Sequence, residues 1–370
     1  MAEPVSLQAI EQALATVMEP ELHRDIVSLQ MVRDLRFEDG VVALRLVLTT
    51  PACPLKELIE RDIRQALIGR VSGVDAVQIA WDSSVTSGAR ALSGRQDIPG
   101  VKNTIAISAG KGGVGKTTIS VNVALALARA GARVGLLDAD IYGPNVPIMM
   151  GITEQPMAGE SGKMLPLRAH GIEVVSFGTI LKPGQPVMWR GPMLAKAMRE
   201  FLYEVEWGPL DYMVIDLPPG TGDIQISLAQ SIPLTGAVIV TTPQDVSIAD
   251  VSRGIQMFAQ LRLPVLGVVE NMSGFICSHC GERTDVFGSG GGRRLAERYA
   301  LRFLGEIPLD PTVRLGGGDG RPLMASTPDS PAGRVFRGVA EQIAAEVSVE
   351  NFAAAGGPQM PAGPRIPVRG

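Results

Sequence analysis

The chain has 370 residues, 45% of them hydrophobic and 19% charged, with a formal net charge of −4 at pH 7. That length suits two domains, or one large α/β domain with an appendage, and the acidic balance argues against a surface built to coat nucleic acid. No apolar run approaches the ~18 residues of a membrane span. The opening MAEPVSLQAIEQAL lacks the basic and apolar regions of a signal peptide, and three cysteines make no disulfide framework. These features predict a cytoplasmic protein with reduced thiols and with neither nucleic acid nor membrane as partner.

The first 82 residues read as a small α+β domain. SLQAIEQALATVM (6–18) has apolar residues at helical spacing, and GVVALRLVLT (40–49) alternates as a strand does. PLKELIERDIRQAL (54–67) is an amphipathic helix opened by Pro54, and GVDAVQIAW (73–81) is a closing strand. Cys53 stands just before that second helix. It reads equally as a small apolar filler between Pro51 and Pro54 and as a thiol whose pKa a helix N-terminus lowers. Residues 83–100, rich in Ser, Gly and Asp, read as a linker.

From 101 to 348 the pattern alternates. TIAISA (104–109), RVGLLD (133–138), EVVSF (173–177), YMVID (212–216), GAVIV (236–240), VLGVV (265–269) and RFLGEI (302–307) read as buried parallel strands. Helical patterns occupy 117–130, 191–205, 246–261, 290–300 and 331–347. The alternation predicts a doubly wound, mostly parallel α/β sheet. Residues 349–370 read as a disordered tail.

Between the first of these strands and its helix lies GKGGVGKTT (110–118). Gly110-x-x-x-x-Gly115-Lys116-Thr117 fits a phosphate-binding P-loop in its required context. Gly110, Gly112, Gly113 and Gly115, with Val114 between them, let backbone N–H groups face one anion, at the positive end of a helix. Lys116 would reach the β- and γ-phosphates and Thr117 would ligate Mg²⁺, with Thr118 closing the run. Gly110-x-Gly112-x-x-Gly115 also satisfies a dinucleotide fingerprint, with Asp138 where a ribose-binding acid belongs. Against that reading, Lys116-Thr117 has no use in a dinucleotide turn. The chain also holds 27 arginines against seven lysines, yet places Lys111 and Lys116 in this one loop, where a compact ammonium suits a phosphate cradle. Asp138, Asp140 and Asp216 end or follow strands near the loop, where carboxylates otherwise serve as turn or cap residues.

FICSHCGERTDVFG contains Cys277-x-x-Cys280. The pair lacks the context of a thioredoxin-like redox motif. A structural zinc would need four ligands, and the chain has no second CxxC; His279 reads as a solvent-facing loop residue. Iron–sulfur clusters also take four thiolates, so one chain supplies half a set and a symmetric dimer a whole one.

GKGGVGKTT, with its extra Lys111, resembles the deviant Walker A of the ParA/MinD/nitrogenase-iron-protein ATPases. LLDADIYGPN (136–145) resembles their first switch, and VIDLPPGTGD (214–223) their Walker B strand and second switch. DIYGPNVP, PPGTGD and PQD narrow the likeness, over 101–348, to Mrp/ApbC-type iron–sulfur cluster carriers. TTPACPLKELI and MEPELHRDIVSLQMV resemble the small assembly domain fused in front of many of them. The resemblance implies a homodimeric ATP hydrolase with Lys111, Lys116 and Asp140 as catalytic residues. Lys111 would reach the partner's nucleotide, Asp140 would orient the attacking water, and Asp216 would support Mg²⁺. Asn271 in VVENMSGF would read adenine, with the IPLDP run (307–311) on the base's other face. It further implies a [4Fe–4S] cluster bridged between subunits by Cys277 and Cys280 and passed to iron–sulfur apoproteins in concert with assembly machinery, with iron–sulfur work for Cys53. The alternative is a MinD/ParA-like positioning ATPase with a structural zinc at the CxxC. Its lipid-binding version ends in a basic amphipathic helix, whereas RVFRGVAEQIAAEVSVE carries mixed charge.

Overall fold

The computed structural model describes residues 6–88, 96–180, 191–277 and 279–356. The chain divides after Thr86 into two compact units.

In the first, Ser6 caps α1 (Leu7–Leu14) by accepting a bond from the Ala9 amide. Two short strands, β1 (Met18–Glu19) and β2 (Arg24–Asp25), pair antiparallel. Then β3 (Val32–Glu38), β4 (Val41–Leu48) and β5 (Ala76–Ser83) form a three-stranded sheet, with α2 (Lys56–Ile68) between β4 and β5. β4 alternates as predicted, burying Val42, Leu44, Leu46 and Leu48 beneath Ile59 and Ile63 of α2. β3 was not anticipated. It has no buried residue and is bulged between Arg33 and Arg36, with Asp34 at φ 50°, so its periodicity is blurred. Cys53 is half-buried against this core.

The second unit is built on a large sheet. Its elements are β6 (Val101–Ala109), α3 (Lys116–Arg129), β7 (Val134–Asp138), α4 (Val146–Met150), β8 (Leu167–Ala169), β9 (Ile172–Ser176), α5 (Phe177–Ile180) and α6 (Gly191–Tyr203). There follow β10 (Leu210–Asp216), α7 (Asp223–Ser231), β11 (Gly236–Thr241), α8 (Asp245–Gln260), β12 (Val265–Ile276), β13 (Arg283–Thr284), α9 (Gly291–Tyr299) and β14 (Phe303–Leu309). Three helices close the unit: α10 (Pro311–Gly318), α11 (Leu323–Ser326) and α12 (Pro331–Ala354).

Seven strands run parallel in the order β9-β7-β10-β6-β11-β12-β14. β8 and β13 add antiparallel partners to β9 and β12. β7, β9, β10 and β11 are buried along their whole length, which is why they read as unbroken apolar runs rather than alternations. The expected doubly wound sheet is therefore present, and all seven anticipated strands lie in it.

The end of the chain differs from the sequence reading. α12 runs to Ala354, through six residues assigned to a tail. Asn351 is 4% exposed, and its Nδ2 donates to Asn103 Oδ1 on β6 at 2.9 Å. A buried amide pair holds this last turn, and no apolar pattern announces it. Residues 89–95 of the expected linker and 357–370 of the expected tail lie outside the described residues. Asn351→Ala should cost about 1–3 kcal/mol by removing this buried bond. Urea unfolding measures it, and a midpoint equal to wild type would show that the pair contributes nothing.

Candidate nucleotide site and thiol hairpin

β6 ends mid-sheet with β10 on one side and β11 on the other, so the loop after it opens at a topological switch point, where open α/β sheets bind ligands. Gly113 (φ 82°) and Gly115 (φ 83°) are left-handed. A Cβ on Gly110 would lie 2.5 Å from backbone atoms of Asp250 and Val251 in α8, and one on Gly115 would collide with the Asn271 amide. Gly112 differs. A Cβ there would meet nothing within 4 Å, so its smallness clears space in front of the loop. That space is a cleft of about 420 Å³, with Lys111, Lys116, Thr117, Thr118 and Asp140 on its polar side and Ile148, Met149 and Met272 on its apolar side. The size and mixed lining suit a small-molecule ligand.

Lys116 opens α3 and is 6% exposed. Its ammonium lies 2.8 Å from Asp216 Oδ2 and 3.5 Å from Asp140 Oδ2, yet makes no well-directed hydrogen bond. Asp216, fully buried at the end of β10, also accepts from Thr117 Oγ1 at 2.8 Å and Ser120 Oγ at 2.6 Å. Asp140 Oδ1 is buried and accepts nothing among the described residues. Buried polar atoms rarely stay unsatisfied. A phosphate beside Lys116 and a hydrated cation beside Thr117, Asp140 and Asp216 would complete them, so the donor set fits a Mg²⁺-bound nucleotide.

Asp138 emerges from the structure as a clasp. Fully buried at the end of β7, it accepts from Ser176 Oγ (2.7 Å) and from the amides of Asp140 (3.1 Å) and Val146 (3.3 Å). It therefore fastens both ends of the segment carrying Asp140. Burial, and then the charge of Asp216, push its carboxyl up to about 8, against the lowering effects of Ser176 and Lys116. Burial also raises the pKa of Asp140. Asp138 was visible as a strand-end acid, whereas Ser176, on a strand remote in sequence, carried no signal.

Two segments expected near the base are placed as follows. Asn271 is 6% exposed and donates from Nδ2 to the Val114 carbonyl at 2.8 Å, packed beneath the phosphate loop rather than on the cleft wall. The neighbour that does line the cleft is Met272. The IPLDP run closes β14 and supplies Asp310 as the cap of α10, accepting from the Thr312 amide. From that region Gly317 reaches the cleft.

The thiols occupy the tip of a hairpin. Phe275 and Ile276 of β12 pair with Thr284 and Arg283 of β13. Cys277 donates its amide to the Glu282 carbonyl at 2.9 Å and accepts at its own carbonyl from Gly281 at 2.8 Å. The amides of Cys280 and His279, followed by the Cys280 side chain, hydrogen-bond the Cys277 sulfur and lower its thiol pKa. Cys280 and His279 are exposed, and so are the flanking apolar residues Ile276 (54%), Val286 (53%) and Phe287. Among the described residues no three His, Cys, Asp or Glu side chains form a metal-holding group.

A glycine-rich loop at the switch point of a parallel sheet, with a buried lysine facing strand-end aspartates, defines a P-loop NTPase. The nucleotide-binding protein of Archaeoglobus fulgidus, solved in complex with ADP, matches at 39% identity and TM-score 0.55, over 60% of this chain and 88% of that one. The Pyrococcus furiosus cell division ATPase MinD shares the fold at TM-score 0.50 and 22% identity, over 65% of this chain and 98% of its own. The family described as NUBPL iron-transfer P-loop NTPase matches residues 100–344, and that described as iron–sulfur cluster assembly protein matches residues 7–81. An "iron-sulfur cluster carrier protein" of Synechocystis is 48% identical over 93% of this chain and 99% of its own length. The Arabidopsis thaliana "iron-sulfur protein required for NADH dehydrogenase, mitochondrial" is 46% identical over 70% of this chain and 83% of its own. The chain belongs to the iron–sulfur cluster carrier family of P-loop NTPases. No described helix is long and apolar enough to cross a membrane.

The raised Asp138 carboxyl has a pH signature. The folded chain keeps a proton that the unfolded chain releases above the ordinary 3.8. The stability this contributes is complete below that value and is lost as pH rises toward about 8. Asp138→Asn, which has no proton to lose, should therefore flatten the fall of the thermal midpoint between pH 5 and 8. Parallel wild-type and variant profiles would refute the assignment.

Proposed function

We propose that this chain is a homodimeric ATP hydrolase that carries a [4Fe–4S] cluster between its subunits and delivers it to apoproteins. The observation that carries the reading is the exposed two-thiol hairpin, half of a four-thiolate set, in a chain that also holds an incompletely satisfied Lys116–Asp140–Asp216 phosphate site.

Lys116 leaves its carboxylates to meet the β- and γ-phosphates, which frees Asp140 to orient the attacking water. Thr117 and Asp216 hold Mg²⁺, which neutralises phosphate charge when bound. The amides of Gly110–Thr118 cradle the phosphates. Lys111, half-exposed at the cleft, acts on the nucleotide of the partner subunit. Loss of the γ-phosphate then alters the contact between subunits.

Lys111→Ala should bind ATP yet hydrolyse it about 10²-fold more slowly. Lys116→Ala should lose hydrolysis as well. It should also lose stability, because Asp216 is left buried without its cation. Mixed dimers of the two variants contain one loop that keeps Lys116, served by the Lys111 of the other subunit, so activity should partly return once subunit exchange is demonstrated. No gain in exchanged mixtures removes the trans role.

Cys277→Ala and Cys280→Ala each remove two of four ligands per dimer, so both should lose the cluster and keep ATP binding. Anaerobic reconstitution, with iron counted against oligomeric state, should give about four irons per wild-type dimer and near none in either variant. Full retention in a variant, or a stoichiometric cluster on a monomer, sinks the reading. One tight zinc per two chains without a cluster would favour a structural metal.

A further inference from the structure

β12 serves both the cleft and the hairpin. Asn271 is bonded to the phosphate loop through the Val114 carbonyl, and its amide lies directly against Gly115. Met272, next along, is left-handed at φ 57° and lines the cleft, a conformation that costs a non-glycine residue energy. Gly274 (φ 70°) turns the chain again, and the pairing with β14 slips between Asn271 and Phe275. The thiol hairpin begins directly afterwards. Its return is anchored by the residue before Asn271. Glu270, fully buried, accepts from the Gly290 and Gly292 amides and from Ser273 Oγ. The hairpin thus leaves the sheet beside a bond to the phosphate loop and re-enters beside a bond to the same strand. The kink at Met272 and Gly274 lies between the anchor and the thiols.

We infer that Asn271 is a positioning residue that couples the phosphate loop to the thiol hairpin. An anion in the loop displaces Val114, the Asn271 amide follows it, and the kinked segment passes the movement to Cys277 and Cys280. Nucleotide therefore shifts the conformation of the thiol hairpin, which the alkylation rate reports, and by linkage a change in the hairpin's conformational equilibrium shifts nucleotide affinity. The inference rests on the carrier reading, since it takes nucleotide and thiols as the two ligand sites. It differs from an adenine-reading role, under which Asn271 would govern the choice of base and leave the thiols alone.

The test alkylates the reduced full-length chain with iodoacetamide, with and without saturating MgADP. Peptide mass spectrometry follows Cys277 and Cys280 separately from Cys53, and ADP and GDP affinities are measured on the same preparations. In wild type, MgADP should change the Cys277 rate by about fivefold or more, the low end of ordinary coupling. In Asn271→Ala, and in Asn271→Asp, which keeps the shape and loses the donor, ADP should still bind while the ratio falls to about 1.5 or less. A wild-type ratio near one with ADP bound overturns the coupling and leaves the carrier reading intact. A ratio preserved in the variants, with discrimination between ADP and GDP lost, overturns it in favour of base reading. Wild type that binds no ADP overturns both. A further arm needs no variant: alkylating the pair in wild type should shift ADP affinity about twofold or more, and an unshifted affinity refutes the coupling.

Discussion

An ammonium held out of water among carboxylates sets the terms for the nucleotide site. Lys116 is 6% exposed and 2.8 Å from a fully buried Asp216. Removing one partner of such a pair typically costs about 3–5 kcal/mol, because the other charge is left desolvated. Thr117, Ser120 and Asp140 are arranged around that pair, and burial pushes the Asp138 carboxyl up toward its neutral form. A phosphate entering the cleft offers Lys116 a further anion. The resting pair therefore holds the site together and competes with the ligand for the same cation.

Sheet order turns this local chemistry into a layout. β6 delivers the phosphate loop, β10 on one side delivers Asp216, and β7 beyond it delivers Asp138 and, just past its end, Asp140. On the other side, β12 lies two strands from β6 and brings Asn271 under the loop before it continues into the hairpin. The acids lie on one flank and the thiols on the other.

The buried strands were legible because both faces of a parallel sheet are covered, which makes them continuous apolar words such as YMVID and GAVIV. The phosphate loop was legible because glycine spacing and a lysine-threonine pair are local. β3 was not, since a bulge broke its period. The last turns of α12 were not, because a polar Asn351 is buried against partners such as Asn103 that are distant in sequence. Asn271 could be picked out as a residue, but its partner Val114 is 157 positions away, and no pattern in either segment names the other. Function residues that act by reaching across the fold leave the weakest trace in one dimension.

The hairpin's exposure has a chemical consequence. A thiol pair with Cys280 exposed and Cys277 half-buried, its Cys277 sulfur biased toward thiolate by backbone amides, is the kind that peroxide oxidises to sulfenic acid and beyond. A metal held by those sulfurs would occupy the lone pairs that an oxidant uses. Bare sulfurs on that hairpin are thus open to oxidation.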